Sequence, residues 1–404
     1  MPTIIKESTK DSPGIISFTG GEALFGLPSI STKVKHFLES ETSRGSWLFG
    51  VHIQGNFTGL GIWPNESWHS FILWPNPEEP YLSNVREKVI PFSCINFLPE
   101  SLATVTRTLP EYDMCVVTRA ANVKNIETSI QIVKQMLQMR PQLQCVMIVP
   151  DSRVMIKGKI KSNSSETFYF QHLTKMFTSR ELKNISFISS STDSFGKFPL
   201  SGTFVSNIIK NSKFLMLNSH SEGTPRVLAE ALLLGTPCII SENLTSGINH
   251  LMNSRNSIAI SDEPHIAASQ IDAALNKYAE LFQVDRSEAQ VHFSESSNVE
   301  EFKATLSEML QNKGYQVNGR WFLDALHLGL ACHGEKVNHQ FFNDDRLFFN
   351  WISKINLMNT NQIELDEDFL YGQVQAVDKI GLKVGLKYIR LFNNRFKRKR
   401  LSKT

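Results

Sequence analysis

The sequence predicts an α/β protein of several units, in which a parallel β-sheet carries helices on both faces. Three observations predict it: apolar runs alternate with helical patterns in the middle of the chain, an aromatic-rich segment precedes them, and a helical pattern follows. The chain of 404 residues is too long for one small domain. Its composition, 41% hydrophobic and 20% charged, is typical of globular proteins and disfavours a disordered chain or a disulfide scaffold.

The central region, from about residue 114 to 274, alternates strand and helix patterns, which predicts right-handed βαβ units. In parallel sheets of this kind, ligands bind at the carboxyl ends of the strands. Functional residues are therefore expected in the loops that follow the strands. Strands are predicted at 114–118, 144–149, 185–189, 214–217 and 238–241, and helices at 125–139, within 167–179, at 204–210 and at 225–234.

The flanking regions have different patterns. The first 110 residues or so are rich in aromatic residues and Gly/Pro turns, and we interpret them as a smaller α/β unit with strands at 14–18, 47–53 and 70–74. Beyond about residue 293 the pattern predicts helices over 299–310 and 321–331. The predicted organisation is therefore an N-terminal unit (1–111), a central domain (112–290), a helical C-terminal region (291–378) and a tail (379–404).

The charge is distributed unevenly along the chain. The formal net charge is +3, but residues 379–404 contain ten Lys or Arg and no Asp or Glu. Without this tail, 32 basic residues face 39 acidic ones, so the remainder is mildly acidic. The tail places apolar residues among its cations, as do segments that lie on anionic bilayers. The alternative is a solvated tail or a nonspecific polyanion binder.

The cysteines and the N-terminus predict a soluble, cytoplasmic protein. Five cysteines without a CxxC spacing are expected to be inert core thiols in a reducing compartment. Residues 1–14 are too polar for a signal peptide, and no apolar run approaches the ~18 residues that a membrane span requires. The cysteines are Cys94, Cys115, Cys145, Cys238 and Cys332.

The most informative stretch is the segment 218–237. Thr224 is a plausible N-cap, Pro225 suits the first helical position, and Gly235 suits the C-terminal cap. Apolar residues spread around most of the intervening helix, and only Arg226 and Glu230 interrupt them. A carboxylate among apolar neighbours costs several kcal/mol unless it is paired or meets a ligand. Glu230 therefore either forms a local ion pair with Arg226 or faces a polar ligand in the strand-end crevice.

Two carboxylates and two cations are predicted to lie at the same edge of the sheet. Glu222 lies in the loop before the helix, where free backbone N–H groups favour an anion. Arg119 follows directly on the first central strand, and Lys124 comes five residues later. Arg suits bidentate phosphate contacts, and Lys acts as a compact point charge. Two solvated loop cations are the alternative for Arg119 and Lys124.

The spacing of Glu222 and Glu230 resembles the E-x7-E signature of retaining GT-B glycosyltransferases, in particular family four of the sugar-nucleotide-dependent enzymes. Arg119 and Lys124 stand where that family's Arg and Lys contact the donor diphosphate. The resemblance covers roughly residues 112–275. It implies a GT-B-like fold of two Rossmann-like units, with a donor-binding domain at 112–290 and a shortened acceptor-side unit at 1–111.

The resemblance also implies the chemistry of the site. Glu222 would contact the hydroxyls of the donor sugar and Glu230 the ribose of the nucleotide, while Gly223, Thr224 and Pro225 would form the loop whose backbone approaches the sugar. The leaving phosphate itself would accept the acceptor's proton. The expected catalytic residues are Arg119, Lys124 and Glu222.

The implied activity is sugar transfer from a nucleoside-diphosphate sugar, the donor substrate, to a glycan or lipid-linked acceptor. No cofactor, metal or nucleic acid is expected. Because many relatives act on lipid-linked acceptors, the tail is expected to bind the inner face of the membrane. The short N-terminal unit and altered loops leave two alternatives: a catalytically inactive donor-domain module that acts as a binding or scaffolding subunit, and a GT-B-fold sugar-nucleotide epimerase.

Overall fold

Two α/β units, each built on its own β-sheet, form most of the part of the chain that the structure describes. None of the helices in this part is long and apolar enough to cross a membrane. The computed structural model describes residues 3–19, 32–53, 65–106, 109–118, 124–150, 152–156, 159–163, 173–190 and 202–324, together with Leu326, Leu330 and Phe349.

The N-terminal unit is a five-stranded sheet in the order β1-β2-β3-β4-β5. β1 is antiparallel to β2, and the other strands are parallel to one another. This arrangement confirms the three strands predicted from the sequence and adds the two at the edges. Its elements are β1 (Thr3–Lys6), β2 (Gly14–Thr19), α1 (Thr32–Arg44), β3 (Trp47–His52), β4 (His69–Leu73), β5 (Val89–Ile90), the 3-10 helices Pro80–Leu82, Arg86–Lys88 and Cys94–Phe97, and α2 (Glu100–Ala103).

The central unit is a six-stranded, fully parallel sheet in the order β10-β7-β6-β11-β12-β13, with a separate hairpin of β8 and β9. All five predicted central strands are confirmed within two residues. Its strands are β6 (Tyr112–Val117), β7 (Cys145–Pro150), β8 (Ser152–Ile156), β9 (Lys159–Asn163), β10 (Ile185–Ser190), β11 (Ser212–Leu217), β12 (Cys238–Ser241) and β13 (Ser257–Ile260). Its helices are α3 (Ile126–Met139), α4 (Thr174–Met176), α5 (Gly202–Lys210), α6 (Arg226–Leu233), α7 (Pro264–Asn276), α8 (Tyr278–Leu281) and the 3-10 helices Glu181–Asn184 and Asn249–Leu251.

Each face of the central sheet is covered by helices. On one face α3 packs against α7, and Ile130, Val133 and Ile271 join its apolar core. On the other face α6 presents Leu228 and Leu232 to a core shared with the N-terminal unit. The helix predicted within 167–179 is reduced, among the described residues, to the single turn of α4, because residue 177 is already extended.

The C-terminal helices return to the N-terminal unit. They are α9 (Arg286–Phe293) and α10 (Glu295–Asn312), and both pack on the 3-10 helix Cys94–Phe97. Phe302 of α10 contacts the rings of Phe92 and Phe97 at centroid distances of 5.3 and 5.1 Å. The helix predicted over 321–331 does not begin at Trp321, because the Phe322 N–H donates to the Ile5 carbonyl and draws this segment onto β1.

These observations confirm the predicted fold class: an α/β protein with two units, parallel sheets and a helical C-terminal region, in a GT-B-like arrangement. The basic tail lies outside the described residues. The structure does not test the predicted domain boundaries, but the packing of α10 shows that the chain beyond residue 290 contributes to the core of the first unit.

Candidate functional site

The loops after β6 and β11 meet at the carboxyl edge of the central sheet. β6 and β11 are hydrogen-bonded neighbours, with Val116 opposite Met216, so their following loops open side by side. The Lys124 ammonium donates to Glu222 Oε1 across this edge, although 98 positions separate the two residues in the chain. Their side chains are only 22% and 13% exposed, which makes this a half-buried ion pair.

This contact places one predicted cation beside one predicted carboxylate. Arg119, the other predicted cation, lies outside the described residues, so its role as a diphosphate contact stays a prediction. Lys124 and Glu222 lie at the edge where the resemblance requires them. Their roles toward a ligand also stay predictions.

Helix α6 begins one residue later than the sequence predicts. Pro225 is the N-cap, with an extended ψ of 91°, rather than the first helical residue. The Thr224 hydroxyl does not cap the helix, because it lies 3.6 Å from the Cys94 sulfur in the N-terminal unit. The predicted N-cap is therefore wrong by one position, and Thr224 instead contacts the neighbouring unit.

Gly235 ends α6 as the sequence predicts. Its φ of 78° lies in the left-handed region that glycine adopts without steric penalty. The Gly235 N–H donates to the Leu232 carbonyl and the Thr236 N–H to the Ala231 carbonyl, which is the Schellman pattern.

Glu230 forms the local ion pair that was one of its two predicted environments. Arg226 Nε donates to Glu230 Oε1 at 2.7 Å, one helical turn away. The Glu230 side chain is only 15% exposed, whereas that of Arg226 is 32% exposed. The carboxylate is therefore satisfied without a ligand. Contact with a ribose stays a prediction.

The loop before α6, residues 222–225, is held against the segment 245–248, and these are called here the α6 loop and the β12 loop. The Glu222 N–H donates to the Thr245 carbonyl at 3.0 Å. The Gly223 carbonyl accepts hydrogen bonds from the Gly247 N–H at 2.8 Å and from the Ser246 hydroxyl at 3.4 Å. The backbone of the α6 loop is thus fixed before any ligand binds.

A polar chain runs along the same edge from α3 to β13. Asn125 is the N-cap of α3 and, at φ 46°, is the one non-glycine residue with positive φ among those described. Its amide lies 3.1 Å from His220 Nε2, which also lies 3.1 Å from Asp262 Oδ1. Burial alone would raise the pKa of Asp262, but hydrogen bonds from Asn243 and Ser241 and the nearby His220 outweigh it and lower that pKa.

Three buried polar side chains lie where β6 and β11 end. Thr118 directly follows β6, and Asn218 and Ser219 directly follow β11; their exposed fractions are 8%, 3% and 0%. Within the described part of the chain, no hydrogen-bond partner exists for the Thr118 hydroxyl, the Ser219 hydroxyl or either polar atom of the Asn218 amide. Because buried polar groups in native proteins are usually paired, these groups form a neutral polar floor suited to a hydrogen-bonding ligand.

Sequence reasoning missed this floor and the Asn125–His220–Asp262 contacts. The positions of Thr118 and Asn218 at predicted strand ends could have drawn attention to them. Their lack of partners depends on packing and cannot be read from spacing. Asp262 gives no signal, because it lies after a strand that was not predicted.

The four described cysteines are buried thiols, and one of them, Cys94, contacts Thr224 of the α6 loop. Cys94, Cys115, Cys145 and Cys238 are free and buried, which confirms the prediction for these four, and Cys332 lies outside the described residues. Burial raises the pKa of Cys115 to about 12 and raises the pKa values of the other three, so all four stay protonated thiols. Among the residues described, no group of three or more His, Cys, Asp or Glu could hold a metal ion.

The central unit is similar to one known family. Residues 106–290 match the sequence model of the family described as glycosyl transferases group 1. The match includes every strand of the central sheet, and Lys124, Glu222 and Glu230 lie within it. This part of the chain is therefore similar to the glycosyl transferases of group 1. No curated protein matches the sequence.

Three solved structures are similar to the chain at low sequence identity. The pneumococcal O-GlcNAc transferase GtfA, in complex with UDP and GlcNAc, is 13% identical with a TM-score of 0.47, over 69% of this chain and 60% of that one. TarM is 12% identical with a TM-score of 0.49, over 73% and 54%. Anabaena Alr3699/HepE in complex with UDP is 12% identical with a TM-score of 0.49, over 71% and 82%. The chain thus spans less than two thirds of the first two.

Proposed function

We propose that the protein is a retaining glycosyltransferase of family four, which moves a hexose-type sugar from a nucleoside-diphosphate sugar to a glycan or lipid-linked acceptor. The observation that carries the proposal is the contact between Lys124 and Glu222 at the carboxyl edge of the central sheet. A phosphate-binding cation and a hydroxyl-binding carboxylate are the two groups that a sugar phosphate requires side by side. The match of residues 106–290 to group 1 glycosyl transferases supports the same class.

In the proposed reaction, the bond between the sugar's anomeric carbon and the β-phosphate oxygen breaks, and negative charge grows on the leaving diphosphate. Lys124, Arg119 and the amino-terminal N–H groups of α6 stabilise that charge where it develops, which is the differential stabilisation that catalysis needs. The acceptor hydroxyl attacks the same face, and its proton passes to the leaving phosphate. The anomeric configuration is therefore retained.

The ion pair between Lys124 and Glu222 has a consequence for donor binding. A diphosphate carries more negative charge than one carboxylate, so it competes for the Lys124 ammonium. Glu222 is then released to accept hydrogen bonds from the sugar hydroxyls. Glu230 exchanges its contact with Arg226 for the ribose hydroxyls, and Gly223, Thr224 and Pro225 bring backbone toward the sugar.

The test is a screen of sugar nucleotides that measures released nucleoside diphosphate, followed by two substitutions. Lys124→Ala is expected to lower turnover by ~10²-fold and to weaken UDP binding, by analogy with the loss of an oxyanion donor. Glu222→Gln is expected to lower transfer but to preserve or strengthen UDP binding, because it removes the competing anion. Opposite changes in UDP affinity for the two variants are specific to the proposed exchange.

Lys134→Ala is the matched control for Lys124→Ala. Lys134 on α3 donates to Glu181 at 2.6 Å, and their side chains are 21% and 18% exposed, close to the values for Lys124 and Glu222. Glu181 precedes β10, so this pair lies at the amino edge of the sheet. Turnover should be unchanged. Equal activity in Lys124→Ala and Lys134→Ala would contradict the proposal, and nucleotide binding without turnover on any acceptor would instead favour an inactive binding module.

Two further parts of the proposal have their own measurements. Catalysis without a metal predicts that excess chelator leaves turnover unchanged, and retention predicts that product and donor share one anomeric configuration by NMR. Association of the basic tail with the cytoplasmic face of the membrane predicts flotation of the full chain with phosphatidylglycerol vesicles and its loss on deletion of residues 379–404. Phosphatidylcholine vesicles are the control, because the attraction is electrostatic.

A further inference from the structure

A tryptophan of the N-terminal unit contacts the central domain beside the candidate site. Trp74 directly follows β4, is 2% exposed, and its backbone N–H donates to the Ile90 carbonyl at 3.1 Å. Its indole meets the Tyr81 ring edge-on at a centroid distance of 6.2 Å. The position of this large side chain is therefore fixed from within its own unit.

Gly247 of the β12 loop lies directly against that indole. A β-carbon added at Gly247 would lie 2.9 Å from Trp74 Cζ2, 3.0 Å from Pro75 Cγ and 3.3 Å from the Gly223 carbonyl oxygen. Carbon atoms in good contact are about 3.5–4.0 Å apart, so no side chain fits between these groups. Gly247 is thus the point at which the N-terminal unit, the β12 loop and the α6 loop all touch.

The contact continues directly into the candidate site. The Gly247 N–H donates to the Gly223 carbonyl at 2.8 Å, and Gly223 follows Glu222 in the chain. On the other side of the same loop, Thr224 contacts Cys94 of the N-terminal unit. The N-terminal unit therefore contacts the α6 loop in two ways: directly at Thr224, and through Gly247 at Gly223.

We propose that Trp74 is a positioning residue, which acts through Gly247 to set the backbone of the α6 loop. This inference rests on the proposed function, in which the backbone at Gly223 approaches the donor sugar. Misplacing a reacting group by about 1 Å can cost up to ~10²-fold in rate, so a small displacement of this loop matters for transfer. The chemical consequence is that the acceptor-side unit controls the geometry of the donor side.

The test is a double-substitution cycle of Gly247→Ala and Trp74→Phe. The methyl group added in Gly247→Ala displaces the β12 loop. The smaller ring in Trp74→Phe lacks Cζ2, the atom nearest to that methyl group. We expect Gly247→Ala to lower kcat about tenfold with little change in UDP affinity. The double variant should recover part of that loss, because Pro75 and the Gly223 carbonyl still lie close to the added methyl. Gly202→Ala is the control, because an added β-carbon there meets nothing within 4 Å.

Hydrogen exchange of the unliganded protein separates this inference from the proposed function. Gly247→Ala should accelerate exchange in peptides covering the α6 and β12 loops but not in α3, and the double variant should restore protection. Trp74→Phe alone should also accelerate exchange in the β12 loop, which decides the matter if Gly247→Ala does not fold. Wild-type exchange in both single variants, or a double variant whose changes are the sum of the singles, overturns the inference. A wild-type protein that binds no nucleotide contradicts the proposed function but leaves the exchange result decisive for Trp74.

Discussion

Four polar atoms at the ends of β6 and β11 have no hydrogen-bond partner within the described chain, and all belong to Thr118, Asn218 and Ser219. A buried polar group left unsatisfied costs about 1–3 kcal/mol. These three residues lower the stability of the unliganded protein, so their presence at the strand ends is best explained by hydrogen bonds that they form with a ligand. Sugar and ribose hydroxyls both donate and accept hydrogen bonds, so they match hydroxyl and amide side chains.

This explanation predicts opposite effects on stability and binding for Thr118→Val. The substitution keeps the shape of the side chain and removes the unpaired hydroxyl, so the free energy of unfolding should rise by about 1 kcal/mol. The stabilisation by a sugar nucleotide in a thermal-shift titration should become smaller. Thr236→Val is the control: its hydroxyl donates to the Ile209 carbonyl at 3.0 Å, so the same change should lower stability. A loss of stability in both variants would contradict the explanation.

A substitution of Glu230 distinguishes between its two predicted roles, a local ion pair and a ligand contact. Ion pairs one helical turn apart contribute about 0.3–0.5 kcal/mol when they are exposed. Glu230 is only 15% exposed, but Gln keeps an oxygen that can accept from Arg226 Nε, so Glu230→Gln should change the free energy of unfolding by about 1 kcal/mol or less. If the carboxylate binds ribose, UDP affinity should fall about tenfold, as expected for losing a charged hydrogen bond of about 1.5 kcal/mol. Calorimetric titration of Glu230→Gln with UDP measures this affinity. An unchanged affinity would show that Glu230 serves only the ion pair with Arg226.

At the scale of elements, α6 depends on its carboxyl end. Gly235 has a positive φ, so a β-carbon there strains the backbone and weakens the two hydrogen bonds that close the helix. Gly235→Ala is expected to lower the free energy of unfolding by about 1 kcal/mol. Chemical denaturation measures the change, and Gly202→Ala, whose φ is not positive, should lose nothing. Equal stability of the two variants would show that the cap is dispensable.

The elements predicted best from the sequence are the central strands and α3, because apolar periodicity and flanking breakers are local signals. The start of α6 was predicted one residue too early, since a Pro at the first helical position and a Thr cap are both locally favourable. The contact between Thr224 and Cys94 spans 130 positions and outweighs that preference. The same reason explains Trp321, which pairs with Lys6 of β1 rather than beginning a helix.

For the candidate site, the sequence could predict which loops contribute but not what their side chains touch. Lys124 and Glu222 were expected at one edge because parallel strands place their carboxyl ends together. Their direct ion pair, the unpaired floor and the contact of Trp74 with Gly247 depend on packing between segments that are distant in the chain. A single sequence contains no local signal for such contacts.

At the scale of the whole molecule, the two ends of the described chain meet on the N-terminal sheet. Lys6 of β1 is fully buried, and its ammonium donates to the carbonyls of Glu7 and Pro13, both at 3.0 Å. The backbone of the same strand pairs with Trp321, and the Glu7 N–H donates to the Arg320 carbonyl at 2.9 Å. A buried cation therefore lies where the chain closes on itself.

The lowered pKa of Lys6 predicts how the folding stability changes with pH. Burial lowers the pKa of Lys6 to about 8 from its ordinary 10.5, although the neighbouring Glu7 carboxylate partly opposes the change. Between these pH values the unfolded chain binds a proton that the folded chain has lost. Folding stability contributed by this group therefore rises with pH across the window and is lowest below about 8.

The measurement is the denaturant-derived free energy of unfolding of wild type and Lys6→Met between pH 7.5 and 10. Buried thiols act in the opposite direction, because their raised pKa values mean that only the unfolded chain ionises above about 9. Both proteins contain the same cysteines, so the difference between them isolates Lys6. That difference should shift in favour of wild type as the pH rises. A constant difference would show that the ammonium keeps its ordinary pKa, and a shift toward Lys6→Met would show that folding raises that pKa. Either result would mean that the two carbonyl contacts offset burial.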